Sequence, residues 1–566
     1  MLDTSTLATQ LLERHAALVA LRAPWETLWK EIADYVMPRR SAGMNGASLT
    51  PSTATESRLF DTTAVQANMI LANGCLAWMS PQESPWFGFD PPQGKETDEV
   101  KRWVSTASER ARQAMGLSNY YTAQHEFYLD RSAFGTACLY VEPGQKHTLN
   151  VQCWPVGSFV IDEDAEGNVD TVIREFELTA RQAVQKFGDK ASPKVQELVR
   201  QGGAKLHEKV KLLHCIHPRS DDERKEGADV QGRMPVASVY LERDSKHICR
   251  ISGYEEMPVM VSRYLEWGSG LGSLYGWSPS FAALPEARQV NFLQKMMDAL
   301  AEKMAFPPIM APDELEGEID SSAGGVTYFD RALAQAQAMP KEWQTGGRYD
   351  VGLERIRERQ AAINRAFHTE LFQMFSQLDK RMTAREVAER ASEKLIQFSP
   401  TFSRMTVELF NPLMERVFSI LLRRGTFGEV PQELIEDRGD GMGFVPVPEI
   451  TYTSRIALSL RSTHSVALQR TVELVSAIAP LDSRIVKHFD WPEAVREDAL
   501  NNGLPAKFVR PLDEVNEELA EEAQAMAAQQ QQAQAMMQAD AASKIGRIPG
   551  DSPVGRKVSE ALDQAA

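Results

Sequence analysis

The chain has 566 residues, of which 43% are hydrophobic and 25% are charged, and its formal net charge is −16. This length predicts three or four domains at about 150 residues each, and the composition is typical of a folded protein. The acidic balance argues against a general nucleic-acid binder, because affinity for phosphate depends on clustered cations. It remains compatible with a surface past which DNA slides without adhering.

The sequence shows no pattern typical of a targeting or membrane segment. Glu13 and Arg14 interrupt the N-terminal amphipathic stretch, which is therefore unlike a signal peptide. No apolar run approaches the roughly 18 residues of a membrane span, so we expect a soluble protein without a membrane partner. The five cysteines contain no C-x-x-C pair, which indicates buried thiols in a reducing compartment.

The first part of the chain predicts helices. Residues 7–37 have a helical apolar pattern that we expect to break into two helices at Pro24. Two further helices are predicted, one from residue 61 or 62 to about residue 79 and one over residues 97–115. Three aromatic residues between these helices are expected to lie in a core and not at a ligand site: Trp86, Phe87 and Phe89.

Residues 137–265 predict a β-rich region, with its clearest hairpin at "SFVIDEDAEGNVDTVIREFEL". The acidic residues of the turn are spaced as at the start of a calcium loop, but the twelfth position of such a loop is Ile173 and not a bidentate Glu. We therefore expect a solvated acidic turn. The turn residues are Asp162, Asp164, Glu166 and Gly167.

Two other stretches contain residue types that occur in functional sites. In "HCIHP" the side chains of His214 and Cys215 should face opposite sides of a strand, which gives little support to a metal site. Residues 220–235 are predicted to be an exposed loop. The stretch "GSGLGSLYGWSPS" is not a dinucleotide fingerprint, because such a motif would need Gly where Tyr275 stands. It is not a nucleophile elbow either, because that motif would need Gly where Ser280 stands. We interpret it as a flexible joint.

Two long helices follow, over residues 280–305 and 351–378, with a compact insert between them. Helices that flank a small insert in this way form an antiparallel pair with the insert at its tip.

The stretch "DKRMTAREVAERASEKL" predicts a sharp bend and then a new helix. Thr383 is a candidate N-cap, and Glu386 completes a capping box with it. A cap requires a non-helical residue, although neither Gly nor Pro separates Leu378 from Thr383. The bend therefore presents four residues at its apex: Asp379, Lys380, Arg381 and Met382.

Helices are predicted beyond this bend over 383–396 and 402–425, the latter kinked or restarted near Pro412. Residues 450–461 are β-like, and three helices then follow: 465–480, 484–490 and 492–502. The Ala/Gln/Glu/Met-rich stretch from residue 513 is strongly helix-favouring but marginal alone, so we expect it to pack beside copies of itself. Residues 545–566 are expected to be disordered.

Five segments, in this order, carry a resemblance to a known family: "WETLWKEIADYVMPRR", "DTTAVQANMILANGCLAWMSPQESPWFGFD", "VSRYLEWGSGLGSLYGWSPSFAALPEARQVNFLQKM", "KMAFPPIMAP" and "RMTAREVAERASEKL". With them the chain resembles the portal, or head-to-tail connector, proteins of short-tailed bacteriophages.

The resemblance implies an α+β, mostly helical subunit of a ring of about twelve copies at one capsid vertex. It implies a wing domain over 1–275. Residues 378–462 would begin with the tunnel loop and then lead the chain back to the wing. The stem would be 276–305 and 351–377, the clip insert 306–350, and the helical crown 463–544.

The resemblance also implies the partners. The clip would dock the terminase large subunit and later the tail adaptor or nozzle proteins, and its candidate contact residues are Pro307, Pro308, Asp313, Glu314 and Trp343. Capsid and scaffold proteins would surround the ring. The protein would be assembled in the host bacterial cytoplasm and reside in the virion, with no cofactor and no catalysis.

A tunnel loop at the bend would project into a channel through which double-stranded DNA passes. Lys380 and Arg381 would then contact phosphates, which carry no sequence information. Alternatively, each cation pairs with Asp379, with Glu386 or with a neighbouring subunit, and both interpretations stay open.

Two other classes of function fit parts of the sequence. A phage-encoded metal-dependent hydrolase or nuclease would use the histidines and "DEDAEGNVD", but no spacing forces these groups together. A helical adaptor would assemble through the Ala/Gln-rich C-terminal segment. The sequence contains no Walker A pattern, so the force for packaging would come from a separate ATPase.

Overall fold

A computed structural model describes residues 4–40, 59–95, 97–225, 230–266, 274–307, 309–310, 341–342, 349–373, 398–437, 443–454, 457, 468, 470–480, 483–501 and 512–546. The chain divides into two compact units, Met1–Val466 and Ala467–Ala566. Helices and sheets occur together in the first unit, which confirms the α+β class expected from the sequence. No helix of the described ranges is both long and apolar enough to cross a membrane.

The helices of the first unit are α1 (Thr4–Val36), α2 (Thr63–Met79), α3 (Asp98–Leu117), α4 (Tyr120–Phe134), α5 (Ala180–Phe187), α6 (Pro193–Gln201), α7 (Asp221–Lys225), α8 (Val230–Arg233), α9 (Pro279–Ala305), α10 (Tyr349–Ala366), α11 (Thr369–Gln373), α12 (Ser399–Met405) and α13 (Asn411–Arg423). A π-helical turn, Thr406–Phe410, joins α12 to α13.

The strands are β1 (Phe87–Asp90), β2 (Thr136–Pro143), β3 (Leu149–Trp154), β4 (Phe159–Glu163), β5 (Val169–Thr179), β6 (Lys209–Pro218), β7 (Val236–Glu242), β8 (His247–Tyr254), β9 (Val259–Arg263), β10 (Ile309–Met310), β11 (Lys341–Glu342), β12 (Glu436–Asp437), β13 (Gly443–Phe444) and β14 (Glu449–Tyr452).

The largest sheet has five antiparallel strands in the order β4-β5-β6-β7-β8. Because successive side chains of a strand alternate between faces, Leu213 and Cys215 lie on the face that packs against Leu11 and Leu18 of α1. Leu212 lies on the opposite face and packs with α5 and α6. The sheet is therefore buried on both sides, and the β-rich region predicted from residue 137 is confirmed.

The main core lies among the helices and the sheet β3-β2-β9. Strand β1 pairs with β14, with Phe87 opposite Tyr452, which brings a distant segment onto the α2–α4 region. The side chains of Trp86, Phe87 and Phe89 are all buried in this core. The prediction that these aromatic residues support packing is confirmed.

The predicted break at Pro24 is wrong, because α1 runs without interruption from Thr4 to Val36. A proline removes one helical hydrogen bond, and packing on both sides compensates here. The Arg22 guanidinium donates to the Phe159 carbonyl at 2.7 Å, and the Trp29 indole donates to the Phe134 carbonyl at 3.1 Å.

The exposed loop predicted over 220–235 is also partly wrong, because it contains α7 and α8. The sequence carries a signal for the first of these helices that the prediction missed. The Ser220 and Glu223 side chains each accept a hydrogen bond from the other residue's backbone N–H, at 3.3 Å and 2.9 Å, which is a capping box.

The second long helix is shorter than predicted. It ends at Ala366, and after a break the short helix α11 occupies Thr369–Gln373. Similarly, the strand within the β-like stretch 450–461 ends at Tyr452.

The second unit is helical in its described part, with residues 470–478, a 3₁₀ segment (Ser483–His488), α14 (Trp491–Asn501) and α15 (Leu512–Gly546). The side chains of α15 from residue 518 to 537 are exposed, including Leu519 and Met526. Its association with copies of itself stays a prediction. Residues 547–566 lie outside the described residues.

Candidate functional site

Helices α9 and α10 form an antiparallel hairpin. The Arg359 guanidinium on α10 pairs with the Glu286 carboxylate on α9 at 2.7 Å. Farther along the pair, Gly352 lies so close to α9 that a Cβ there would be 2.2 Å from the Met297 sulfur. A glycine at this position lets the two backbones approach closely. The antiparallel pair expected from the sequence is therefore present.

The open end of this hairpin is closed by a short ladder. Strand β10 pairs antiparallel with β11, with Ile309 opposite Glu342 and Met310 opposite Lys341. The residues on the two sides of segment 311–340 are therefore adjacent. Of the candidate docking residues, Pro307 is described and half-buried. The others lie outside the described residues: Pro308, Asp313, Glu314 and Trp343.

The other end of α10 leads towards the predicted bend. His368 adopts a left-handed backbone conformation with φ 52°, which ends α10 and turns the chain into α11. Buried Phe367 and Leu371 hold the two sides of this turn in the core, and the Thr369 hydroxyl donates to the Asn364 carbonyl at 3.2 Å. The sequence offered no Gly or Pro to signal this break.

The described residues on both sides of segment 374–397 are in contact. The ring of Phe372, at the end of α11, lies 5.9 Å from the ring of Phe398, where the description resumes. The ring of Trp78 on α2 lies 6.4 Å from Phe372. The residues that flank the segment therefore lie close together, and one of them, Phe372, contacts α2.

Every residue proposed for the bend falls within segment 374–397 and lies outside the described residues: Asp379, Lys380, Arg381, Met382, Thr383 and Glu386. Their roles stay predictions. The structure describes the two aromatic residues that flank the segment, Phe372 and Phe398, which together we call the aromatic base.

A buried ion network fixes the chain just beyond this base. Arg263 at the end of β9 is almost fully buried, and the Glu408 carboxylate accepts from its backbone N–H at 2.7 Å and from its Nε at 3.1 Å. Arg263 also pairs with Glu163, and Arg404 pairs with Glu266 at 2.6 Å and with Glu408 at 3.0 Å. Glu408 lies on the π-helical turn, so the network ties this turn to two sheets.

The charges of this network are nearly balanced. The three carboxylates of Glu163, Glu266 and Glu408 face the guanidinium groups of Arg263 and Arg404. The Arg131 guanidinium donates to the Arg263 backbone carbonyl at 3.0 Å. Burial, opposed by the Arg263 charge, raises the pKa of Glu163. Sequence reasoning missed this site, because Arg263 and Glu408 are distant in the chain, and the only local signals were the short spacings of the pairs Arg404–Glu408 and Arg263–Glu266.

The acidic turn that imitates a calcium loop uses its carboxylates internally. The Asp164 carboxylate accepts from the backbone N–H of Glu166 at 2.9 Å and of Asn168 at 2.8 Å, and these bonds lower the pKa of Asp164. Asp162 pairs with Arg14 of α1 at 3.0 Å. The turn is thus a structural junction between β4–β5 and α1.

His214 and Cys215 lie on opposite faces of β6, as predicted. The His214 imidazole stacks on the Tyr240 ring at 3.9 Å and shares a hydrogen bond with Ser238 at 2.9 Å. Burial lowers the pKa of His214 well below its usual value, so the ring is neutral. In the part of the chain that the structure describes, no group of three or more His, Cys, Asp or Glu residues is placed to hold a metal.

Taken together, the described residues define an α+β subunit with an antiparallel helical hairpin, the β10–β11 ladder beyond one of its ends and the aromatic base beyond the other. Comparison with known proteins gives the family. The model of the family described as bacteriophage head to tail connecting protein matches residues 8–509, and the chain belongs to this family. The resemblance expected from the sequence is confirmed.

Two relatives match over nearly their whole length. The portal protein of Salmonella phage epsilon15 is 29% identical over 543 residues, which cover 94% of each chain. The probable portal protein of Bordetella phage BPP-1 is 29% identical over 552 residues, which cover 95% of each chain.

Proposed function

We propose that this protein is the portal of a short-tailed phage: a ring of about twelve identical subunits at one capsid vertex, through which DNA is packaged and ejected. Membership of the head to tail connecting family over residues 8–509 carries this proposal. Two relatives matched over more than nine-tenths of the chain are named portal or probable portal proteins. Such a protein is a virion component with a structural role, surrounded by capsid and scaffold proteins.

The subunit divides accordingly. The α9–α10 hairpin is the core of a stem over 276–305 and 351–377, and residues 306–350 are the clip at its tip. The wing is 1–275 together with the part of 378–462 beyond the tunnel loop, and the crown is 463–544. The closed β10–β11 ladder supports a clip that is a compact module on the stem.

The clip is proposed to dock the terminase large subunit during packaging and tail adaptor or nozzle proteins afterwards. Phe306, at the end of α9, is 76% exposed and adjoins the half-buried Pro307. An exposed aromatic side chain at the entrance of the clip supports a docking role, because such residues are enriched at protein interfaces.

Residues 379–382 are proposed as the tunnel loop, with Lys380 and Arg381 near DNA phosphates in the channel. The aromatic base formed by Phe372 and Phe398 supports this role, because it places the two flanks of segment 374–397 side by side, as the two ends of a loop require. Contacts of this type are independent of sequence, as a conduit requires.

The test is the double variant Lys380→Ala with Arg381→Ala, introduced into the phage. We expect rings to assemble normally and the amount of packaged or retained DNA to fall. The matched control is Lys194→Ala with Arg200→Ala, which removes two exposed cations from α6. Normal packaging by the loop variant would contradict the role proposed for the loop. If electron micrographs of purified wild-type protein showed no rings, the portal assignment itself would be wrong.

A further inference from the structure

We propose that a cleft between the β2–β3 turn, helix α5 and strand β8 binds an acidic peptide segment of another protein. Three cations line the cleft and would meet the carboxylates of such a segment: Lys146, Lys186 and Arg250. The inference goes beyond the portal role, because the site lies within the first compact unit and needs neither a ring nor a channel.

The cleft is large and is built from three parts of the fold. It has a volume of about 1020 Å³ and lies where the β2–β3 turn, α5 and strands β7 and β8 meet. The turn from Pro143 to Leu149 forms one wall, and Gln185 and Lys186 of α5 belong to another. Tyr240 and Arg250 line the cleft from the five-stranded sheet.

The wall formed by the turn is fixed by its own contacts. The Gly144 backbone N–H donates to the Thr148 carbonyl at 3.2 Å, and the Arg424 guanidinium donates to the Gly144 carbonyl at 2.6 Å. A Cβ at Gly144 would clash with the His147 carbonyl oxygen, so glycine allows the turn to close this tightly. The turn therefore holds its shape in the absence of a ligand.

Two of the cations lie in the cleft without a carboxylate partner. The Lys186 ammonium lies 4.5 Å from the centre of the Tyr240 ring, and Arg250 is opposite Tyr240 in the β7–β8 ladder. Within the described parts of the chain, neither cation forms an ion pair with Asp or Glu. Burial lowers the pKa of Lys186, although Glu142 opposes the shift. The charges of Arg174 and Arg250 lower it further, so these cations repel one another and a bound anion would relieve the repulsion.

The carboxylate that lines the cleft is already engaged. The Tyr140 hydroxyl donates to one oxygen of Glu142 at 2.9 Å, and the Asn150 side-chain amide donates to the other at 2.8 Å. Among the lining residues, all of which the structure describes, Glu142 is the one acidic residue. The cleft therefore has three cations for one carboxylate, which gives it a positive excess on an acidic chain.

Size and chemistry favour a peptide over other anions. The cleft is far larger than a single phosphate ion, and its cations lie on different walls, so a chain with several carboxylates fits them together. The side chains of Gln145 and Gln185 also line it, and an amide both donates to and accepts from a peptide backbone. Nucleic acid is disfavoured, because its affinity depends on many clustered cations.

The test is the fluorescence anisotropy of a fluorescein-labelled hexapeptide of four glutamates and two alanines, mixed with the full-length protein at low salt. We expect saturable binding with a Kd of about 100 µM or tighter. Lys186→Gln with Arg250→Gln should weaken binding about tenfold, because each ion pair at a partly exposed site contributes modestly. Lys146→Glu changes an exposed turn residue, which the fold does not need, and should weaken binding about fivefold.

The matched control is Lys194→Gln with Arg200→Gln, which removes the same charge from exposed positions of α6 outside the cleft. This variant should bind the peptide as the wild type does, and a peptide with glutamine in place of glutamate should not bind. The inference is wrong if the wild type does not bind the acidic peptide or if the control variant weakens binding as much as the cleft variants. Displacement of the peptide by an equal concentration of inorganic phosphate would show a small-anion site instead. Each of these outcomes leaves the proposed portal role standing, because ring formation tests that role separately.

Discussion

At the scale of single residues, Asp130 shows how the core of this subunit controls charge. Its side chain is fully buried at the end of α4, and the Arg40 guanidinium lies 3.2 Å from one carboxylate oxygen. Burial raises the pKa of Asp130 from 3.8 to about 6, although the charge of Arg40 opposes the shift. Because the pKa is higher in the folded state, the folded protein binds this proton more tightly than the unfolded chain does.

The stability contributed by this proton is fully present below pH 4 and is lost as the pH rises through about 6. Asp130→Asn removes the titration. We expect wild-type protein to lose up to about 3 kcal/mol relative to the variant between pH 4 and pH 7, since each pKa unit corresponds to about 1.4 kcal/mol. Denaturant unfolding of both proteins at several pH values measures this difference. Glu99→Gln, on the surface, is the control, and parallel pH profiles for wild type and Asp130→Asn would contradict the prediction.

At the scale of elements, periodicity and caps predicted most of the fold. The apolar repeat of α2 and the turn residues between β4 and β5 are local signals, and both elements are where the sequence placed them. The break expected at Pro24 failed because contacts of α1 with distant segments outweigh one missing hydrogen bond. The break at His368 was missed for the converse reason. Packing of its buried neighbours imposes this break, and the local sequence carries no signal for it.

The candidate site was less predictable than the fold. Two periodic segments around an insert predict a helical hairpin, and the α9–α10 pair was predicted in this way. The Arg263–Glu408 network joins residues from distant parts of the chain, so local spacing indicates single pairs of it and not the network. The bend at residues 379–382 rests on the cap at Thr383, a local signal, and stays a prediction.

A glycine at the junction of α4 and β2 gives a test at this scale. Gly135 ends α4 with φ 81°, and a Cβ there would lie 2.1 Å from the Gly276 carbonyl oxygen. Gly157 has a similar φ of 92°, but a Cβ there would meet nothing within 4 Å. Gly157→Ala should therefore cost only the left-handed backbone penalty of about 1 kcal/mol.

Gly135→Ala adds a clash with backbone that cannot move without opening the junction, and it should cost more than about 3 kcal/mol. Thermal unfolding of the two variants beside wild type measures the contrast. Equal shifts of the melting temperature would show that the junction tolerates a side chain, and would contradict the close approach of Gly135 to Gly276.

At the scale of the whole molecule, the charge pattern bears on how DNA would pass. The chain carries −16 overall, and several of its arginines are engaged with carboxylates inside the subunit. Arg263 and Arg404 share Glu408. Arg416 and Arg423 share Glu256, and the Arg416 guanidinium lies 2.7 Å from its carboxylate. Burial opposes ionisation of Glu256, but the hydrogen bonds and charges of these two arginines lower its pKa. Cations held in this way are not available to phosphates.

We therefore expect the assembled protein to bind linear duplex DNA more weakly than ordinary non-specific DNA-binding proteins. Phosphate affinity arises from the release of counterions by clustered cations, and a net charge of −16 per chain repels the duplex instead. At about 150 mM salt the dissociation constant should be weaker than about 10⁻⁵ M in a filter-binding assay. Lys380→Ala with Arg381→Ala should leave this bulk affinity unchanged, since the proposed tunnel loop would hold these two cations inside a channel, away from free duplex. Micromolar binding by the wild type would mean that its surface holds DNA, which is incompatible with a conduit that lets the polymer slide in both directions.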